Sequence, residues 1–171
     1  ALEAEGVAPF LWAQEGLVLA AMLVGWQLLL LALLDLRHLW LPRVVVGTLA
    51  ASGAAVVAAE AVSVGSLDPV LVSLSGGALG YILLWAAARF YLKARGREGM
   101  GSGDPPLLGA IGLWLGPLGV VEVMLGASIV GIAVAIVMLV SKRKVAADTA
   151  LPLGTCLAAT AWPLFLLQGL G

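Results

Sequence analysis

The sequence predicts an all-α membrane protein, a bundle of about six transmembrane helices. Three observations support this prediction: the composition, the length of the apolar runs and the positions of the charges. Of 171 residues, 62% are hydrophobic and 11% are charged, whereas about 25% of residues are charged in a typical soluble domain. A soluble domain of this size has too much surface for its volume to bury so many apolar side chains. The composition therefore excludes a soluble domain, a disordered chain and a disulfide-rich secreted scaffold.

Six apolar segments follow one another along the chain. A membrane helix needs about 20 mostly apolar residues. The first segment, 16–34, follows residues 1–15, which carry three glutamates and which we interpret as an external lead-in. The second, 44–64, is rich in small residues that permit close helix packing. The others cover 70–91, 105–118, 120–140 and 151–167.

The fourth segment is short enough to be a half-membrane hairpin instead of a span. With six spans, residues 16–168 form one transmembrane domain and 169–171 a short C-terminal tail. The single cysteine, Cys156, excludes an internal disulfide and a multi-cysteine metal site. We therefore expect no metal and no cofactor, and the net charge of −1 gives no indication of a nucleic-acid partner.

The basic residues predict the orientation of the spans. All nine follow the first, third or fifth segment, and they are Arg37, Arg43, Arg89, Lys93, Arg95, Arg97, Lys142, Arg143 and Lys144. With six spans these three junctions lie on one side, and by the positive-inside rule that side is cytoplasmic. Both termini are then outside. Without the fourth span the third basic cluster would lie on the wrong side, so the charges favour six spans.

Two acidic residues need an explanation beyond solvation, because ionisable groups near the hydrocarbon region are costly and often functional. Asp35 directly follows the apolar run of the first segment, and Asp104 stands where the fourth begins. Both are predicted at the cytoplasmic level of the membrane. Two carboxyl groups that share a partly dehydrated site do not both ionise easily, so one keeps a proton. The protonated acid can then polarise a carbonyl while the other takes a proton from water, as peptide hydrolysis requires.

Two glycines precede the second acid, in the string Gly101-Ser102-Gly103-Asp104. We expect Gly101 and Gly103 to allow a tight turn with positive φ and a close approach to an extended substrate. A purely structural interpretation stays open, in which Asp35 pairs with Arg37 or Arg43. Asp104 would then cap the fourth helix ahead of a proline.

A longer pattern surrounds these acids. Residues 98–104 read E-G-M-G-S-G-D, and the stretch L-L-G-A-I-G-L-W-L-G follows at 107–116. Together they resemble the signature of type IV prepilin peptidases, the Gly-x-Gly-Asp aspartic proteases of the bacterial inner membrane. Three further stretches resemble family motifs in the same order, at 34–42, 77–81 and 151–154. The resemblance covers about residues 17–168.

The resemblance implies an endopeptidase that cuts the basic leader from prepilins or pseudopilins, after a glycine, at the cytoplasmic face. The family's two catalytic aspartates match Asp35 and Asp104. Many members also carry an N-terminal cytoplasmic domain with paired cysteines, linked to N-methylation. The 171 residues contain no such domain, so either methylation is not supported or its domain has been removed. The expected partners are a pilin-like substrate helix and the lipid bilayer. The pattern does not predict the oligomeric state or the pilus or secretion system that supplies the substrate.

The sequence departs from the family pattern at several positions. Arg43 stands where an acid is usual, and Pro106 stands where a lysine is usual. The element I-P-F-G-P reads L-P-L-G-T at 151–155. These departures favour one alternative, a catalytically inactive homologue that binds pilin-like helices. A second alternative is a small transporter that uses the two acids as ion or proton ligands, although polar residues within the spans are sparse.

Overall fold

The computed structural model describes residues 4–96, 101–140 and 152–170. All the regular structure within these ranges is helical, in agreement with the predicted fold class. The helices are α1 (Ala4–His38), α2 (Arg43–Val64), α3 (Asp68–Arg95), α4 (Asp104–Val140) and α5 (Leu153–Leu170). Five helices thus stand where the sequence predicts six segments, because α4 contains both the fourth and the fifth. Helix α1 begins well before residue 16, so most of the lead-in is helical.

Helix α4 consists of two parts joined at Gly116. The backbone there is not helical, with φ 69° and ψ −175°, and Pro117 follows. A positive φ suits glycine because it lacks a Cβ. A Cβ on Gly112 would lie 2.9 Å from Val120 Cγ2, although eight residues span about 12 Å in a continuous helix. The second part of α4 therefore folds back beside the first, at the predicted junction between the fourth and fifth segments.

One end of the bundle, which we call the aspartate end, contains the ends of α1 and α3 and the starts of α2, α4 and α5. Asp35 in the last turn of α1 contacts Thr155 in the first turn of α5. The described basic residues lie at or near this end, and they are Arg37, Arg43, Arg89, Lys93 and Arg95. At the opposite end, Gln168 of α5 lies 3.5 Å from Glu122 of α4. The described basic side chains therefore lie toward the aspartate end, whereas Glu122 lies at the opposite end.

Glycines allow α3 and the first part of α4 to pack backbone against backbone. A Cβ on Gly76 would meet the carbonyl oxygen of Gly112, and a Cβ on Gly80 would lie 2.5 Å from the carbonyl oxygen of Leu108. The hydroxyl of buried Ser73 donates a 2.6 Å hydrogen bond to the Leu113 carbonyl. Small residues at a helix interface permit such close approach in a membrane, where the hydrophobic effect does not drive helices together.

Trp114 joins three helices at the centre of the bundle. Its indole N–H donates a 2.9 Å hydrogen bond to the Leu49 carbonyl of α2, and its ring packs edge-on against Phe165 of α5, 5.6 Å between centroids. A Cβ on Gly53 would lie 2.8 Å from the indole nitrogen, so the absence of that side chain makes room for the ring. These contacts hold the first part of α4 between α2 and α5.

Length and composition suit four of the described helices for crossing a membrane: residues Gly16–His38, Arg43–Val64, Asp68–Arg95 and Asp104–Met138. Leu153–Gln168 is a shorter apolar helix. Large apolar side chains cover the outside of the bundle, including Trp26, 69% exposed, and Phe90, 76% exposed. Apolar surface on this scale is unusual in a soluble monomer and fits contact with lipid.

Candidate functional site

Asp35 lies in the last turn of α1 and is buried, with 5% of its surface exposed. Its Oδ2 atom accepts two hydrogen bonds from Thr155, one from the backbone N–H at 2.7 Å and one from the hydroxyl at 3.1 Å. A buried carboxyl group needs such donors. Among the described residues, its hydrogen-bond partner is Thr155 and not Arg37 or Arg43, in contrast to the structural alternative considered from the sequence.

Asp104 is the first residue of α4 and is equally buried. Its Oδ2 atom accepts the Gly101 N–H at 3.1 Å, and its own N–H donates to the Gly101 carbonyl at 3.2 Å. Pro105 and Pro106 follow, which suits a first turn whose N–H groups have no acceptor within the helix. The carboxyl group therefore closes the turn just before α4. It does not make the helix-capping bond considered from the sequence, since the Leu107 N–H donates to the Gly103 carbonyl at 3.1 Å.

The fold brings the two acids together although 69 positions separate them. Leu41, from the loop between α1 and α2, lies between the segments that carry them. A Cβ added to Gly103 would lie 2.7 Å from the Cβ of Leu41. A Cβ added to Gly154 would lie 3.0 Å from the Cδ1 of Leu41 and 3.0 Å from Asp35 Oδ2. Two buried carboxyl groups thus share one end of the bundle, as the charge pattern predicted.

The two predicted substrate glycines have different surroundings. Gly101 is exposed, and its N–H is bonded to Asp104. Gly103 is half-buried and does not have a positive φ, so the expectation of positive φ is wrong at this position. Its missing side chain instead makes room for Leu41. Close packing, and not an unusual backbone angle, is what requires glycine at residue 103.

Sequence reasoning missed three residues of this site: Leu41, Gly154 and Thr155. The stretches 34–42 and 151–155 stood out only for their likeness to family motifs and their departures from them, not for contacts with the acids. A helix start after Pro152 could have indicated free backbone N–H groups near a carboxyl group, but nothing in the sequence pairs α5 with Asp35.

The loop that carries Leu41 also contains a strained residue. Leu39 has φ 49°, a left-handed conformation that costs a residue with a Cβ about 1–2 kcal/mol. Its N–H bonds the Asp35 carbonyl at 2.8 Å and ends α1. The turn places Leu41 inside the bundle directly after the helix that carries Asp35.

Three further residues lie nearer the surface: Arg43 and Pro106, which depart from the family pattern, and His38, the one histidine of the sequence. His38 and Arg43 are exposed, at the last residue of α1 and the first residue of α2. Pro106 is half-buried in the first turn of α4. Within the described ranges, no group of three or more His, Cys, Asp or Glu side chains is placed to hold a metal ion.

Long apolar helices indicate a multi-pass membrane protein, and this one has two buried carboxyl groups at one end of its bundle. Comparison with known proteins identifies the family. Residues 22–136 match the model of the type IV leader peptidase family. The chain belongs to this family.

Curated relatives agree with this assignment. The prepilin leader peptidase/N-methyltransferase of Xanthomonas campestris pv. campestris is 34% identical over 155 residues, 82% of this chain and 50% of the relative. The type 4 prepilin-like proteins leader peptide-processing enzyme of Escherichia coli O78:H11 is 32% identical over 96% of this chain and 57% of the relative. The chain thus spans about half the length of these relatives. No solved structure matches it.

Proposed function

We propose that the protein is a membrane aspartic endopeptidase that removes the basic leader of type IV prepilins or pseudopilins, cutting after a glycine. The observation that supports this most is the pair of buried acids, Asp35 and Asp104, which lie at the same end of the bundle on segments that both pack against Leu41. The family assignment and the names of the relatives agree with a leader-processing activity.

In the proposed mechanism the two acids carry out opposite proton transfers. One ionised carboxyl group takes a proton from a water molecule while the water oxygen bonds to the scissile carbonyl carbon. The other, protonated, gives its proton to the carbonyl oxygen. The tetrahedral intermediate then collapses and the C–N bond breaks. The leaving amine takes up a proton from the acid that received one from water, and the other acid takes back the proton of the hydroxyl group that becomes a carbonyl again. No covalent intermediate with the protein forms.

The loop before α4 is the proposed place for the substrate backbone. A peptide bond within a helix has its carbonyl and N–H groups engaged, so a substrate must be extended where it is cut. Gly101 is exposed beside the carboxyl group of Asp104, where a strand could approach closely. Gly103 acts indirectly in this proposal, because Leu41 occupies the space beside it and holds the loop in place.

We further propose six spans with both termini outside and the site at the cytoplasmic face of the bacterial inner membrane. Two observations support this. The described basic residues lie at or near the aspartate end, which the positive-inside rule assigns to the cytoplasm. The second part of α4 folds back at Gly116, so that its two parts can serve as two spans.

Cysteine labelling tests this topology, since Cys156 is buried and is the only native cysteine. In a Cys156→Ala background, Leu67→Cys and Leu118→Cys are expected to react with a membrane-impermeant maleimide from outside intact cells. Trp40→Cys should react only after permeabilisation. All three positions are more than 60% exposed. Labelling of Leu118→Cys only from the cytoplasmic side would contradict six spans and favour a half-membrane hairpin.

The activity itself is tested by co-expressing the protein with prepilins and pseudopilins and following the loss of the leader. We expect a shortened product whose new N-terminus follows the leader glycine. A substrate in which a bulky residue replaces that glycine serves as the control and should stay uncut. If no such substrate is cut by the unmodified protein, the peptidase proposal fails.

A second function is favoured by Arg43 and Pro106, two of the departures from the family pattern. A protein without activity could still bind pilin-like helices as an assembly factor. Retention of an uncut prepilin on the purified protein, together with no cleavage, would support this alternative.

A further inference from the structure

We propose that Thr155 is a positioning residue for Asp35, which fixes the carboxyl group so that Oδ1 is the oxygen that takes the proton from water. This inference rests on the proposed peptidase function. It assigns to Thr155 a role that the family pattern does not contain, because the pattern has proline at this position. Proline has neither an N–H nor a hydroxyl group.

The backbone donor comes from the start of α5. The Cys156 N–H already donates to the Pro152 carbonyl at 3.2 Å, as the first bond of the helix. The N–H groups before it have no acceptor within the helix. The Thr155 N–H instead donates to Asp35 Oδ2 at 2.7 Å, across a sequence separation of 120 residues. Asp35 therefore caps α5, and α5 in turn restricts the rotation of the carboxyl group.

The side chain of Thr155 adds a second donor to the same oxygen. Its Oγ1 lies 3.1 Å from Asp35 Oδ2 and 3.1 Å from the Ala32 carbonyl oxygen. A hydroxyl group has one proton to donate, and a carboxylate is a stronger acceptor than a carbonyl. While Asp35 is ionised, the hydroxyl therefore donates to Oδ2.

Both donors to the Asp35 carboxyl group, within the described part of the chain, thus bind Oδ2. An oxygen that accepts two hydrogen bonds is a poor site for a proton, because a proton there would displace a donor. A proton taken from water therefore goes to Oδ1. The water must lie on the Oδ1 side, so the orientation of the carboxyl group determines where the water can be activated.

Removing the hydroxyl group distinguishes the positioning of Asp35 from the capping of α5. The backbone N–H of Thr155 is enough for the cap, so the cap remains when the hydroxyl group is lost. Thr155→Val keeps the N–H and the shape but loses the hydroxyl, whereas Thr155→Ser keeps it. We expect Thr155→Val to lower kcat for leader cleavage about 10-fold, the effect of one hydrogen bond to a charged group. KM and the melting temperature should change little, and Thr155→Ser should restore kcat.

Thr160→Val is the matched control. It removes a hydroxyl group from the same helix, where Oγ1 donates to the Cys156 carbonyl at 2.9 Å, and it should leave kcat unchanged. Equal losses in Thr155→Val and Thr160→Val, an unchanged kcat in Thr155→Val, or no rescue by Thr155→Ser would each overturn the inference while the peptidase function stands. A native protein that cuts no prepilin would overturn both.

Discussion

Replacing either Asp35 or Asp104 by asparagine is expected to lower leader cleavage by at least about 1,000-fold. In the proposed mechanism each carboxyl group both accepts and donates a proton during a turnover, and an amide can do neither at neutral pH. General acid–base groups that act as a pair lose most of their effect when either is removed. The measurement is the rate of leader removal from a prepilin in membrane vesicles that contain equal amounts of each variant.

The substitution is chosen to leave the fold intact. The amide oxygen of asparagine can accept the hydrogen bonds that Asp35 receives from Thr155 and that Asp104 receives from Gly101. Glu60→Gln is the control, since it neutralises an exposed acid far from the site. It should cut at the native rate. Cleavage within about 2-fold of the native rate in either asparagine variant would contradict the paired-acid mechanism, given how much such groups contribute.

Much of the fold was accessible from the sequence because apolar runs and charge clusters are local patterns. The fourth and fifth predicted segments meet where the backbone breaks, and the Gly116-Pro117 pair is the physical reason for the break. The start of α1 was not predicted. Hydropathy identifies the residues that suit lipid, whereas a helix can continue through polar residues such as those before Gly16.

The proximity of the two acids could be predicted because each borders an apolar segment on the side of the membrane that the basic residues mark. Their neighbours could not. Thr155 contacts Asp35 across 120 positions. Leu41 packs against Gly103, in the turn before α4, and against Gly154 of α5. Such contacts depend on how helices are arranged around one another, which leaves no periodic pattern in the sequence. Gly103 shows the consequence, because packing against Leu41 requires a glycine there and the predicted positive φ does not occur.

The contact between α3 and α4 should be the part of the fold least tolerant of substitution. A Cβ on Gly112 would meet the carbonyl oxygen and carbon of Gly76, both backbone atoms that cannot turn away as a side chain can. Gly112→Ala is therefore expected to destabilise the protein by about 3 kcal/mol or more, the upper range for overpacking of a core. The first part of α4 begins with Asp104, so cleavage should fall together with stability.

Gly131→Ala is the matched control for this prediction. Gly131 lies in the second part of α4, and a Cβ there would have no neighbour within 4 Å. Alanine is about 1 kcal/mol more favourable than glycine in a helix, so this variant should be as stable as the native protein or more so. Thermal unfolding in detergent, followed by circular dichroism, compares the two. A Gly112→Ala protein with the same unfolding temperature as the native protein would contradict this prediction. It would show that α3 and α4 can move apart without a loss of stability. The site would then not depend on this glycine contact for its position.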